Sequence, residues 1–361
     1  MARAIGDSDE MTFAADRLAD WGAARQIGSR LAGPGPTLSA VQRARLREDF
    51  ADVVPEAERL ALEHTGMTHG GYPSRPWVMS RSEWLRANLR GFQTLLEPIA
   101  ARIVTAKPDS AVTSVRRKVL GAEIGSLVGY LGRRVLGQYD LFLPPDDDGM
   151  IYFVGPNIAG VERRYGFPER DFRLWIALHE VAHRLQFGSV PWLRPHVSRV
   201  IDAYMSTLEL DARELVRRLG RAMEEVRAGR VEWRGLGWLF LLMDAEQRRM
   251  FREIQSLMAL LEGHGNFVMN VAGRDAIRGV DTFRRTLRER RRSSGPDRLV
   301  QRAIGFDAKV RQYDAGEWFV ASVVQEVGME RFNRVWLGPE TIPTPEEISR
   351  PQDWIARVGA A

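Results

Sequence analysis

The stretch LWIALHEVAHRLQFGSVPW, residues 174–192, sets His179 and His183 four positions apart around Glu180, inside a run that is otherwise mostly apolar. Helical spacing puts the two histidines one turn apart on one face, so both imidazoles can converge on a single ion. Glu180 lies beside that face, where a carboxylate can take a proton from a metal-activated water without filling the coordination shell. Leu174, Ile176, Ala177, Leu178, Val181, Ala182 and Leu185 predict that most of this helix is buried. Two imidazoles and a carboxylate left unpaired in such a setting are costly, and metal coordination with supporting hydrogen bonds removes that cost. The competing reading is a helix whose polar face merely displays these residues. Ordinary residue frequencies produce the five-residue pattern in about one chain of this length per hundred, and the apolar flanks tip the balance toward a metal.

A catalytic zinc usually takes three protein ligands and keeps a position open for water. Ser189 stands where an extended HExxHxxGxxH pattern would place a third histidine, so the remaining candidates are His196, Glu253, Glu262 and His264. Glu262 is favoured because it ends the apolar run SLMALL and precedes the apolar Phe267, Val268 and Met269, so its carboxylate needs a partner. His264 is two positions on and cannot share an ideal helix face with Glu262, unless Gly263 breaks the helix. It stays a candidate ligand or a donor to a substrate oxyanion, a role also open to Tyr313. Arg184 or Arg311 could meet a substrate carboxylate.

Outward from this stretch, the 361-residue chain contains no cysteine, which excludes disulfides and thiolate metal sites. Only six histidines occur, so two in one five-residue motif is a concentrated use of a scarce residue. No apolar run reaches membrane-spanning length and no signal-like start is evident, so a cytoplasmic protein without a membrane span is expected. The formal charge of +5 is partly local, in RRTLRERRRSS at 284–294. Without a nucleic-acid motif that run reads as solvated surface, and nucleic acid is disfavoured as a partner.

Helical patterns are expected at 13–31, from near Ser39, from Ser80 through Leu95, and at 112–136, where Gly121, Gly125, Gly129 and Gly132 suit a close helix crossing. Met150–Val154 is the best strand candidate, while THGGYPSRPW at 68–77 reads as a turn whose His69, like His64, is more simply explained by packing. The triple aspartate at 146–148 lacks the ligand spacing of a calcium loop. Further helices are expected at 169–187, 195–228, 236–262, 264–272, 275–292, 296–305 and 306–328. PETIPTPEEISRPQDW reads as an extended wrap anchored by Trp336 and Trp354. The expectation is a mainly α fold with a small β element, divided into an N-terminal helical region, 1–110, packed on a catalytic region with a C-terminal wrap, 111–361.

HEVAHRLQFGSVPWL at 179–193, LLEGHGNFVMN at 260–270, YFVGPN at 152–157, KVRQYDAGEWFV at 309–320 and RFNRVWLGPETIP at 331–343 together resemble the zincin-like metallopeptidases. More narrowly they resemble the actinobacterial zinc-dependent metalloprotease family that includes coenzyme F420 biosynthesis-associated proteins. The resemblance implies a zincin-like fold with additional N- and C-terminal helices, Zn2+ held by His179, His183 and Glu262, and Glu180 as catalytic base. Members often carry aspartate where this chain has Asn270, which implies an altered support for the ligands. The expected function is metal-assisted hydrolysis of a peptide or small protein substrate. The alternatives are a catalytically silent, zinc-stabilised scaffold and a protein of coenzyme F420 biosynthesis, although no Gly-rich phosphate loop favours the latter.

Overall fold

The computed structural model describes residues 18–103, 111–139, 149–207, 243–292 and 306–359. They form two compact units, one built from Met1–Gly33 with Ser82–Arg133 and the other from Pro34–Arg81 with Arg134–Ala361. The first contains α1 (Trp21–Ala32) and α4 (Ala111–Gly132), with α3 (Arg81–Ile103) between them in sequence. Asp20 caps α1 by accepting the Ala23 N–H at 2.8 Å. The glycines of α4 serve the expected close crossing: a Cβ at Gly121 or Gly125 would come within 2.4 Å of the carbonyl oxygens of Asp20 or Ala24 in α1.

The second unit begins with α2 (Ala40–Thr65), opened by a reciprocal Ser39–Gln42 capping box, and β1 (Arg75–Met79). It continues with β2 (Gly137–Tyr139), β3 (Met150–Val154), α5 (Gly155–Tyr165), α6 (Glu169–Ser189) and α7 (Leu193–Ser206). Then come α8 (Ala245–Ala276), α9 (Val280–Arg292) and α10 (Phe306–Phe332), the last interrupted at Gly328, whose φ is 83°. The sheet order is β1-β3-β2, with β1 parallel and β2 antiparallel to β3. As the central strand, β3 buries Ile151, Tyr152, Phe153 and Val154 in succession, which explains its continuously apolar sequence. Among the described residues the protein is mainly helical with this small sheet.

Two apolar clusters hold the second unit. One joins α2, β3, α6 and α8, with Phe50 stacked on Phe153 at 3.9 Å. The other joins α8, α10 and the C-terminal turns around Phe319, Phe332 and Trp354. Because α6 is enclosed on nearly every side, Arg173 near its start is buried and forms a bidentate pair with Glu162 of α5 at 2.8 Å on both arms. Arg173 also donates to Asp49 of α2.

Several expectations change. The 68–77 stretch runs into β1 after its turn, because Arg75–Met79 finds a partner in β3, 75 residues along the chain. Residues 155–165 form a helix that the periodicity did not suggest. The anticipated helices ending at 262 and resuming at 264 are one helix, α8, with no break at Gly263. That glycine instead lets α10 approach, since a Cβ there would lie 2.2 Å from the Gly316 backbone. The C-terminal stretch is a chain of short turns, including α11 (Pro345–Ser349) and α12 (Pro351–Trp354), instead of an extended wrap. Trp354 is nonetheless its anchor, fully buried and donating from Nε1 to the Thr341 carbonyl at 2.8 Å. The expected helical stretches at 208–228, 236–242 and 296–305, and the aspartates at 146–148, lie outside the described residues.

Candidate metal centre

Helix α6 presents His179 and His183 toward Glu262, which α8 brings from 79 residues away in sequence. The two histidine Nε2 atoms are 3.2 Å apart, and Glu262 Oε2 is 3.5 Å from that of His179 and 3.8 Å from that of His183. One ligand atom from each of the three residues lies within 4.8 Å of the others. Ligands about 2.0–2.1 Å from a tetrahedral zinc ion stand about 3.4 Å from one another, so the observed edges are of the length such an ion requires. Each of the three side chains is between 14% and 21% exposed, which keeps the cluster accessible from one side.

The surrounding atoms also fit a metal. Gln186, three residues beyond His183 and fully buried, places its Oε1 3.0 Å from His183 Nδ1. With that oxygen accepting the Nδ1 proton, the lone pair of His183 is left on Nε2, on the side of the cluster. The Gln186 amide nitrogen donates to the Leu261 carbonyl at 3.0 Å and to His264 Nδ1 at 2.8 Å, which fixes the orientation of the amide. Gly265 supplies room for both rings: a Cβ there would sit 3.2 Å from His179 Cε1 and Nδ1 and 3.3 Å from His183 Cε1.

Glu180 projects toward the edge of the sheet. It is buried, and its Oε2 accepts the Tyr139 N–H of β2 at 3.0 Å. Burial pushes its pKa up to about 7; His183 and the Tyr139 N–H act downward, and the charge of Glu262 acts upward. Gly137 of the same strand leaves space for the carboxylate, because a Cβ there would fall 2.6–2.9 Å from Glu180 Cγ, Oε1 and Cδ. A carboxyl group that titrates near neutrality beside a cation-ready cluster can both accept and return a proton.

The other residues singled out in the sequence lie elsewhere. His264 faces away from the cluster, fully buried behind Gln186, with its ring stacked on Phe332 at 5.6 Å. Burial, and then the nearby His183, lower its pKa to about 3, so it is a neutral imidazole and has no exposed face to offer an oxyanion. Its place on α8, two positions from Glu262, is the consequence of the unbroken helix. The side chains of Tyr313 and Arg311 lie outside the described residues. His196 and Glu253 approach each other at 3.8 Å and take no part in the cluster. Arg184 is buried, donating to the His69 carbonyl and lying 4.0 Å from Glu58, so the structure gives it to the loop before β1 and not to a substrate carboxylate. Asn270 donates to Glu317 at 2.9 Å.

Sequence reasoning missed Gln186, Gly265, Gly137 and the Tyr139 amide. Gln186 was within reach, since i,i+3 spacing from His183 places it on the same helix face. Gly265 likewise stands three residues beyond Glu262. For Gly137 and Tyr139 no local signal exists, because a three-residue strand is defined by its neighbour.

The sequence model of a family described as zincin-like metallopeptidase matches residues 19–355. Among solved structures, the chain is similar to a protein of Chloroflexus aurantiacus described as "a putative hydrolase with a novel fold". The two are 33% identical, with a TM-score of 0.70 over 94% of this chain and 98% of that one. No curated protein matches the chain.

Proposed function

The chain belongs to the zincin-like metallopeptidase family, and from that membership we propose that it is a zinc-dependent hydrolase cleaving peptide or amide bonds. His179, His183 and Glu262 would hold the ion, and Glu180 would act as general base. The observation that carries this reading is the placement of the buried Glu180 carboxylate beside a two-histidine, one-carboxylate cluster. Zinc bound there would supply Lewis acidity, polarising the scissile carbonyl and making water a better nucleophile.

The protein's own groups carry the proton. Glu180 takes it from the attacking water and returns it to the leaving nitrogen, a two-way role suited to a carboxyl group with a pKa of about 7. The Tyr139 N–H and the space at Gly137 fix where that carboxylate stands. Gln186 holds His183 in the ligating tautomer, and His264 holds Gln186, a positioning part distinct from contact with substrate. Tyr313 is kept as the proposed oxyanion donor. No helix among the described residues is long and apolar enough to cross a membrane. A peptide or small protein as substrate and a cytoplasmic setting belong to the same proposal.

Glu180→Gln tests it. Turnover of a broad quenched-peptide library should fall by about 10²–10⁴-fold, with zinc content and melting temperature retained. If wild type and variant both hold zinc and neither cleaves any peptide, the chain is a zinc-stabilised scaffold. The narrower F420 association has its own probe, a fluorescence titration with deazaflavin cofactor, in which saturable binding would be needed to sustain it.

A further inference from the structure

Residues 137–139, Gly-Gln-Tyr, make a three-residue strand at the edge of the sheet. The Leu136 carbonyl accepts the Val154 N–H at 2.8 Å, so in this antiparallel pair the alternate peptide groups of Leu136 and Gln138 face β3. Gly137 and Tyr139 therefore direct theirs out of the sheet, and Glu180 occupies that outer edge. Gly137 leaves room for the carboxylate, and Glu180 Oε2 accepts the Tyr139 N–H at 3.0 Å. The carboxylate is placed only as well as the end of β2 that meets it.

The side chain of Tyr139 is held at two further points. Its ring stacks on Phe187, with centroids 5.8 Å apart and planes 19° apart. Its hydroxyl oxygen accepts from Arg194 Nη2 at 2.6 Å, and the same guanidinium stands 5.9 Å from the ring centroid. Phe187 follows Glu180 by seven residues on α6, two turns along the same helix face, and Arg194 is the second residue of α7. One residue thus meets α6 twice, by its main chain at Glu180 and by its ring at Phe187, about 10 Å further along the helix. A fully solvated contact between arginine and tyrosine would be worth little. Here Tyr139 and Phe187 are half-buried, and the bond to the hydroxyl is charge-assisted.

We propose that Arg194 and Phe187 are positioning residues for Glu180, acting through Tyr139. They anchor its hydroxyl and ring, and the anchored residue keeps its N–H on the carboxylate. A reacting group displaced by about 1 Å can lose ~10²-fold in rate, so the anchoring bears on turnover. That Glu180 is a general base rests on the peptidase reading; that these two side chains hold its main-chain partner does not.

The test reads the Tyr139 amide directly, by residue-resolved hydrogen–deuterium exchange of the full-length protein, alongside kcat, KM and zinc content. Tyr139→Phe removes one oxygen and keeps the ring on Phe187, so the fold is retained. Arg194→Met removes the other end of the same hydrogen bond. Each is expected to speed exchange at position 139 about tenfold and to lower kcat about tenfold, with KM and zinc content unchanged. The double variant should match either single one, because both remove one interaction. Phe187→Leu, which keeps an apolar side chain and loses the stacked ring, should act in the same direction. Unchanged exchange at position 139 overturns the proposal, as do additive effects in the double variant or loss of zinc together with turnover. Faster exchange with an unchanged kcat, in a protein that does cleave peptides, overturns it as well. Faster exchange in the variants of a protein that cleaves no peptide sustains the anchoring and removes the peptidase reading.

Discussion

The division of labour at the site is drawn by single atoms. Gln186 touches no ion, yet its Oε1 decides which nitrogen of His183 carries the proton. Replacing it by alanine should weaken zinc binding about 10–100-fold, measured by competition with a chromophoric chelator, with the fold retained by circular dichroism. Gly137 bears on the proposed proton transfer by Glu180. Gly137→Ala would press a methyl group into the Glu180 carboxylate, so kcat should fall by at least about tenfold, on the scale of a misplaced general base, while zinc affinity stays unchanged. A variant that loses metal and turnover together would show that Gly137 shapes the whole pocket. At this scale the histidine pair of the proposed site was legible because a four-residue spacing on a helix carries spatial meaning. Glu262 was legible because a carboxylate amid apolar neighbours needs a partner. His264 was not, since its role depends on how α8 packs against Phe332 and Trp336.

Among elements, α6 carries most of the consequences. Its burial requires every polar group along it to be paired, and Arg173 shows the requirement at its start. Arg173→Met would leave Glu162 buried without its bidentate partner, and the expected loss is about 3–5 kcal/mol in urea unfolding. A loss below about 1 kcal/mol would mean that Glu162 simply takes up a proton, a response its upward-shifted pKa, caused first by burial, makes accessible. The long helices and β3 were readable from periodicity and apolar runs. By contrast, β1 and β2 were hidden because each exists through pairing with β3, and α5 because its eleven residues give periodicity little length to act on. The continuity of α8 shows the same limit from the other side. Gly263 has the residue type of a helix break and is kept for a close approach to Gly316.

Over the whole molecule, the proposed ion would join α6 to α8, and the unfolded chain keeps neither helix in place. Zinc should therefore stabilise the fold by about 4 kcal/mol when free zinc is a thousandfold above its dissociation constant, and chelation should lower the melting temperature in calorimetry. An unchanged melting temperature after verified zinc removal would count against the cluster as a binding site. The C-terminal turns have a separate fastening between Glu347 and Arg357 at 2.6 Å. Burial pushes the Glu347 pKa up, but hydrogen bonds from Arg357 and the Thr344 N–H outweigh it and hold the group below its usual 4.5. Its stabilising contribution is thus present above 4.5 and is lost as pH falls through the depressed value. Glu347→Gln should cost about 1–2 kcal/mol at pH 7, a modest figure because Arg357 is partly exposed, and the gap from wild type should close in acid.

By itself, the sequence determined the helical character of the chain, the central strand, the pair of histidines with their glutamate, and the acid best suited to complete the set. These are properties of short spacings and of what an apolar neighbourhood does to a polar residue. Tertiary structure alone decided that Glu262 stands beside those histidines, that His264 backs Gln186, and that a three-residue strand holds Glu180. Each of those facts joins groups from different elements, and hydrophobic packing, which positions elements, is non-directional and leaves no local trace in the sequence.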